Sequence, residues 1–390
     1  MATGGNQRQW AWPAPTPGGA VPPSIAIVLG TRPEALKLAP VVDALCARGV
    51  RPLLISTGQH RDLLDRATAD AGLMPDIDLG LMRPGQGTGA LLADAAHGLL
   101  TLFRCQRPAM VIVQGDTASA YAGALAAARI DCPITHVEAG LRTGRLDDPW
   151  PEELFRRAIT ALTSLHCAPT PLAARTLVRE GVAPSAVHVT GNSAIDRLMK
   201  ARAAAATANG AANGTGRDAG QELMTRFGGR FALATIHRRE NHGRIDALAD
   251  ALHRVGRHHC LPVLVPIHPS PAMERLRALL RGSDMVHPLP PLDHGTMVTL
   301  LSRAVLVLTD SGGLQEEAVT LGTPLVILRD VTERAEAVRA GRARLAGADP
   351  AAILDASSSA LVAGRFAPCT LFGDGRAGLR IASLVLGWLD

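Results

Sequence analysis

TDSGGLQEEAVTLGTPLVILRD, residues Thr309–Asp330, joins an apolar strand run (304–308) to a helix-like segment through a Ser-Gly-Gly turn. Adjacent glycines let backbone N–H groups approach a ligand closely, and a following helix N-terminus adds partial positive charge. Ser311, Gly312 and Gly313 therefore suit a phosphate or diphosphate. Glu317 follows Gly313 by one helical turn, on the same side, where a carboxylate can accept both hydroxyls of a ribose. Taken alone, the segment also fits an ordinary strand–turn–helix corner.

The same unit recurs along the chain. Short β-type runs at 25–29, 52–56, 110–113, 134–137, 166–167 and 187–189 alternate with helical stretches such as 36–47, 91–103, 118–129 and 152–165. After an Ala/Gly/Asn/Thr-rich break over 201–220 the pattern resumes at 231–236, 263–267, 305–308 and 325–328, and the chain closes on an amphipathic helix over 377–389. This alternation predicts an α/β protein with two doubly wound, Rossmann-like domains of parallel strands facing a central cleft. The expected division is a flexible tail over 1–23, a first domain over 24–200, a linker over 201–226, a second domain over 227–375 and a closing helix over 376–390 that packs back on the first domain.

Composition narrows the function classes. At 390 residues, 47% hydrophobic and 19% charged, the chain has ordinary globular composition. No apolar run reaches the roughly 18 residues that span a bilayer, and the N-terminus has no apolar core of a signal peptide. Six scattered cysteines with no CxxC pair point to a reduced cytoplasm rather than a disulfide framework or zinc site. The net charge of +5 comes without a basic run, so nucleic acid is not an expected partner. Lys37 and Lys200 are the only lysines of an arginine-rich chain, which marks position 37 as a place for a compact ammonium.

The polar residues that follow the strands carry the chemistry. In VLGTRPEALKLAPVV (28–42), Pro33 suits the first helical position, and Arg32 and Lys37 are placed to meet an anion. The segment is not GxGxxG, so a dinucleotide site is not expected. VQGDTASAYAGAL, ITHVEAGLRTG and DDPWPEELFRR place Asp116, Glu138 and Glu152 after successive strands. Each has an ordinary structural reading, as helix-start acids or, for Glu138, as a partner of Arg142. As a set they form an acid/base group in which crowding raises some pKa values and holds others low. LATIHRRENHG and VPIHPSP add His237 and His268 after strands of the second half. His237 with Arg238 and Arg239 makes an anion grip, and no HxH or HxxxH spacing favours a metal.

With these residues in view, the chain resembles the non-hydrolysing UDP-N-acetylglucosamine 2-epimerases, enzymes of GT-B-like fold. The matching stretches are GTRPEALKLAP, TGQHRDLLD, GDTASA, HVEAGLRTG, PWPEE, TGNSAIDRL, HRREN, TDSGGLQEEAVTLGTP, RDVTERAEAV and FGDG, in order from Ile25 to Leu389. The resemblance implies reversible interconversion of UDP-GlcNAc and UDP-ManNAc by loss and re-addition of UDP through 2-acetamidoglucal, with no cofactor, in a homodimer. It implies catalytic roles for Asp116, Glu138, Glu152 and His237. Substrate contacts are implied for Arg32, Lys37, Arg142, His268, Met297, Ser311, Gly312, Gly313, Glu317 and Arg334, and an activator site at Gln59 and His60. Phe155 stands where the family usually has Asn, and Met297 where it has Phe. A hydrolysing 2-epimerase, releasing ManNAc and UDP, and a GT-B glycosyltransferase are the alternatives.

Overall fold

Strand β1 (Ile25–Leu29) is apolar at every position and wholly buried, as expected of a central parallel strand covered by helices on both faces. The computed structural model describes residues 24–58, 73–83, 85–147, 149–208, 219–267 and 270–390. The expected tail (1–23), Gln59, His60 and His268 lie outside the described residues.

The first sheet is built from β1, β2 (Leu53–Ser56), β3 (Ile77–Asp78), β4 (Met110–Gln114), β5 (Ile134–Val137), β6 (Leu165–Ala168) and β7 (Val187–Val189), in the order β3-β2-β1-β4-β5-β6-β7. The second contains β8 (Ala232–Thr235), β9 (Val263–Pro266), β10 (Val286–Leu289), β11 (Leu306–Thr309), β12 (Leu325–Ile327) and β13 (Ala343–Leu345), in the order β10-β9-β8-β11-β12-β13. Every pairing is parallel. Both sheets thus reverse their strand order once, between β1 and β4 and between β8 and β11. At such reversals the flanking loops diverge and leave a crevice beyond the carboxyl ends of the strands.

Three strands fall outside the alternation expected from sequence. Strand β3 has two residues, β13 carries Arg344, and β10 contains Pro288. All three lie at sheet edges, where a missing N–H or a polar side chain is tolerated.

The expected linker over 201–226 begins and ends helical. Helix Ser193–Ala208 runs into it and helix Ala219–Arg226 leaves it, consistent with the high helix propensity of the alanines at 203–206. Ile195 and Leu198 pack into the core of the second sheet with Phe231, Leu300 and Phe372. The closing helix Ala377–Leu389 crosses to the other side, where Ile381, Ala382 and Val385 share a core with Leu38, Val41 and Leu45 beneath β1. Among the described residues, no helix is long and apolar enough to cross a membrane.

Candidate active site

Four turns meet where the two reversals face each other. The turn after β1 leads into helix Arg32–Cys46 through Thr31 and Pro33. Glu34 folds back on that turn: its Oε2 accepts from the Gly30 and Thr31 amides at 3.1 and 2.7 Å and from the Thr31 hydroxyl at 2.7 Å. Its Oε1 accepts from the Thr117 hydroxyl at 2.7 Å, which belongs to the turn after β4. One side chain therefore fastens both lips of the first crevice. Burial pushes the Glu34 carboxyl up to about 7, against the hydrogen bonds from Thr31, Thr117 and Gly30.

Glu138 stands just past β5 in the left-handed region, at φ +66°. A non-glycine residue held there carries roughly 1–3 kcal/mol of strain and persists only where its surroundings fix it. Here they do. Lys37 donates to Oε2 at 2.5 Å, Arg334 to Oε1 at 3.0 Å and Asn192 to Oε1 at 3.1 Å, with Gln114 also on Oε2. Burial alone would raise this carboxyl, but Lys37 and Arg334 outweigh it and hold the group below the usual range. Asp116 is paired with Arg156 at 2.6 Å, and Glu152, at the start of helix Glu152–Leu162, with Arg239 at 3.5 Å. The crowding expected among the three acids is thus relieved by a base beside each. The carboxyls raised to about 7 are instead Glu34 and Glu316, the latter by burial and by the nearby charge of Glu138, against Arg334.

The second crevice supplies donors. Ser311 caps helix Gly312–Leu321, so both glycines lie in its first turn rather than before it. The amides of that turn lack intrahelical partners, and the Ser311 hydroxyl accepts from Leu314 N at 3.5 Å. A Cβ at position 313 would meet nothing within 4 Å, whereas one at 312 would lie 2.8 Å from the Arg334 guanidinium. Position 313 is therefore open, and 312 is the floor on which Arg334 rests. Glu317 lies 3.5 Å from His294. Asp310 is fully buried and accepts from the His237 and Arg238 amides and from Asn241. Its Oδ1 also stands 3.3 Å from His237 Nδ1, which leaves Nε2 as the ring's other polar atom. Desolvation lowers the His237 pKa, Arg238 and Arg329 lower it further, and Asp310 pulls the other way.

Asp116, Glu138, Glu152 and His237 line one cavity of about 710 Å³ with Arg32, Lys37, Met297, Ser311, Gly312, Gly313, Glu317 and Arg334. Arg142 is not among them. The chain bends through Glu138 and Gly140 (φ +87°), where a Cβ would strike the Ala173 carbonyl at 2.4 Å. Arg142 leaves on the far side, donating to Glu180 at 2.7 Å and Thr160 at 2.9 Å. The pairing of Glu138 with Arg142 gives way to this outer ion pair. Glu34, Arg156, Asn192, Glu316 and Glu333 join the site without having been among the residues expected there. Glu333 and Asn192 lie within the matching stretches RDVTERAEAV and TGNSAIDRL. Phe155 packs on Tyr121 (ring centroids 5.2 Å apart) and lines the cavity beside Glu152. Among the described residues, no group of three or more His, Cys, Asp or Glu is placed to hold a metal.

Known proteins match this arrangement over most of its length. The sequence model of the family described as UDP-N-acetylglucosamine 2-epimerase matches residues 44–386. The UDP-N-acetylglucosamine 2-epimerase of Escherichia coli K12 is 38% identical over 340 residues, 85% of this chain and 88% of the relative. The crystal structure of UDP-GlcNAc 2-epimerase from Neisseria meningitidis bound to UDP-GlcNAc superposes with a TM-score of 0.85 at 31% identity, covering 93% of this chain and 100% of that one. The Methanocaldococcus jannaschii enzyme in complex with UDP-GlcNAc and UDP gives a TM-score of 0.83 at 28% identity, covering 93% and 99%. The two-sheet architecture is thus GT-B-like.

Proposed function

We propose, since the chain belongs to the UDP-N-acetylglucosamine 2-epimerase family, that it inverts carbon 2 of UDP-GlcNAc by eliminating and re-adding UDP, giving UDP-ManNAc. The proton on carbon 2 is not acidic, so the C1–O bond must loosen first, its electron pair leaving with UDP. The proton on carbon 2 then passes to a carboxylate, and a C1=C2 double bond closes the 2-acetamidoglucal. Return of a proton to the opposite face and re-addition of UDP complete the inversion.

Each half has a part in this scheme. The free amides of Gly312 and Gly313, with His237 and Arg238, meet the diphosphate, where negative charge develops. Glu317 takes the ribose hydroxyls, and Met297 lies against the base. Asp116, Glu138 and Glu152 flank the sugar, take the proton on one face and return one on the other. Residues 24–200 and 227–375 act as two units closing on the substrate, with the closing helix 376–390 on the first. The family reading extends to a cytoplasmic homodimer.

The observation that carries this reading is one cavity holding three separate carboxylates opposite a glycine helix start. A glycosyltransferase needs the second feature but not the first. Incubation with UDP-GlcNAc alone in deuterated water, followed by proton NMR, tests it. The expected outcome is an equilibrium mixture with UDP-ManNAc, deuterated at carbon 2, without free sugar. Free ManNAc with stoichiometric UDP would identify a hydrolysing enzyme, and no change without an added acceptor would favour a transferase.

A further inference from the structure

We propose that Glu333 is the positioning residue that couples approach of the two halves to the catalytic carboxylates, holding Arg156 against Asp116 and Arg334 against Glu138. The inference rests on the epimerase reading for its chemistry and on geometry for its structure. Glu333 follows β12, and its side chain is wholly buried. Four guanidinium groups surround it: Arg329 at 2.6 Å, Arg334 at 2.5 Å, Arg156 at 3.5 Å and Arg238 at 3.6 Å. Arg156 comes from the first half; the other three come from the second.

One carboxylate cannot neutralise four guanidiniums, and unpaired buried charge is strongly unfavourable. The surplus is met by other acids, and where those acids lie gives the arrangement its meaning. Arg156 also contacts Asp116 at 2.6 Å and Glu153 at 3.1 Å. Arg334 also contacts Glu138 at 3.0 Å and Glu316 at 2.8 Å. Alternating charges therefore run Asp116–Arg156–Glu333–Arg334–Glu138–Lys37, leaving the first half at Arg156 and returning to it at Glu138. Arg334 cannot relax sideways, because its guanidinium lies on Gly312.

Separating the halves cuts this chain at Arg156–Glu333 and at Arg334–Glu138. Glu138 would keep Lys37 alone of its two cationic partners, and Asp116 would keep Arg156, which Glu153 would still hold but Glu333 would not. Both acids have their full set of supports only when the halves meet. That suits a reaction whose glycal intermediate would be lost if water entered before closure.

The test compares the wild-type chain with Glu333→Gln and Glu333→Asp on UDP-GlcNAc, with UDP affinity measured by calorimetry. Glu333→Gln is expected to lower kcat by roughly 10²-fold while KM and UDP affinity change little, the pattern of a lost transition-state arrangement. Glu333→Asp, which keeps the charge, should recover part of the loss. Wild-type turnover in Glu333→Gln, or equal losses of turnover and UDP binding, would overturn the proposal. If Glu333→Gln does not fold, Arg156→Lys takes its place, since an ammonium cannot reach Asp116 and Glu333 together; unaltered turnover there overturns it equally. Should the wild-type chain bind UDP yet leave UDP-GlcNAc unchanged, the reaction assignment falls but the bridge remains testable by small-angle scattering. UDP-saturated Glu333→Gln with a larger radius of gyration than UDP-saturated wild type supports it, and equal radii overturn it.

Discussion

The two crevices share one construction and have opposite chemistry. Each sits where a parallel sheet reverses its strand order, between β1 and β4 in one half and between β8 and β11 in the other. The first presents side-chain acceptors: Asp116, Glu138 and Glu152, with Glu34 locking the turns behind them. The second presents donors: the amides of Gly312 and Gly313, the ring of His237 and the guanidinium of Arg238. Scaffold geometry supplies the crevice, and the few residues after each strand decide whether it moves protons or holds an anion. In the proposed reaction, two such crevices face to face do what neither does alone.

The strongest way to break this comparison is to remove an acceptor without touching the donors. Glu138→Gln keeps the size of the side chain and deletes its charge, leaving Lys37 and Arg334 without their shared partner. Turnover and deuterium incorporation at carbon 2 are expected to fall by about 10⁴-fold, the upper range of acid/base contributions. UDP affinity should stay close to wild type, because the proposed diphosphate groove is in the other half. Equal losses of UDP binding and turnover would mean that the two crevices do not divide the work.

Neighbouring glycines sharpen the comparison further. Gly313→Ala places a methyl in open space along the proposed diphosphate groove, so UDP affinity should drop by roughly tenfold or more, as for about 1–3 kcal/mol of overpacking. Gly312→Ala places one 2.8 Å from the Arg334 guanidinium. That guanidinium can retreat only by loosening Glu138, Glu316 or Glu333. The mutation sits in the donor crevice but should behave as an acceptor lesion, with kcat lowered by roughly tenfold to a hundredfold for the same steric penalty. Steady-state kinetics and UDP titration on both variants decide the matter. If both lose only affinity, Arg334 is not the link between the halves.

How legible this was depended on distance along the chain. Strands β1, β4, β5 and β11 and the closing helix follow from local pattern, because a parallel strand covered on both faces is mostly apolar. Strands β3, β10 and β13 did not, being edge strands that are short or interrupted by Pro288 or Arg344. The acids after the strands could be read because a polar residue there faces the crevice whatever its partner. The partners could not. Glu138 pairs with Arg334, 196 positions away, and not with Arg142, four positions away. A left-handed Glu138 and the bend at Gly140 turn Arg142 outward, and periodicity carries no information on such a turn. Glu34 is illegible for a related reason: in sequence it is an ordinary first-turn helix acid, and only the fold brings Thr117 to it from 83 positions away.

The smallest expected effect concerns Glu34, which joins the lips of the acceptor crevice as Asp310 joins those of the donor crevice. The Glu34 carboxyl is raised to about 7 in the folded chain from an ordinary value of 4.5. Between those values the folded state binds the extra proton, so stability falls as pH rises through that window. Below about 4.5 the group is neutral in both states and contributes no penalty; above about 7 the penalty is complete. Glu34→Gln carries no such charge. Relative to the variant, the wild-type chain should therefore lose stability between pH 5 and pH 8, by at most about 3 kcal/mol for a shift of this size. Denaturant midpoints of the two proteins across that range measure it. At pH 5 Glu34→Gln should be the less stable, having an amide where the carboxyl accepted from Gly30, Thr31 and Thr117. A constant difference at every pH would show that these four donors, and not burial, govern the proton on Glu34.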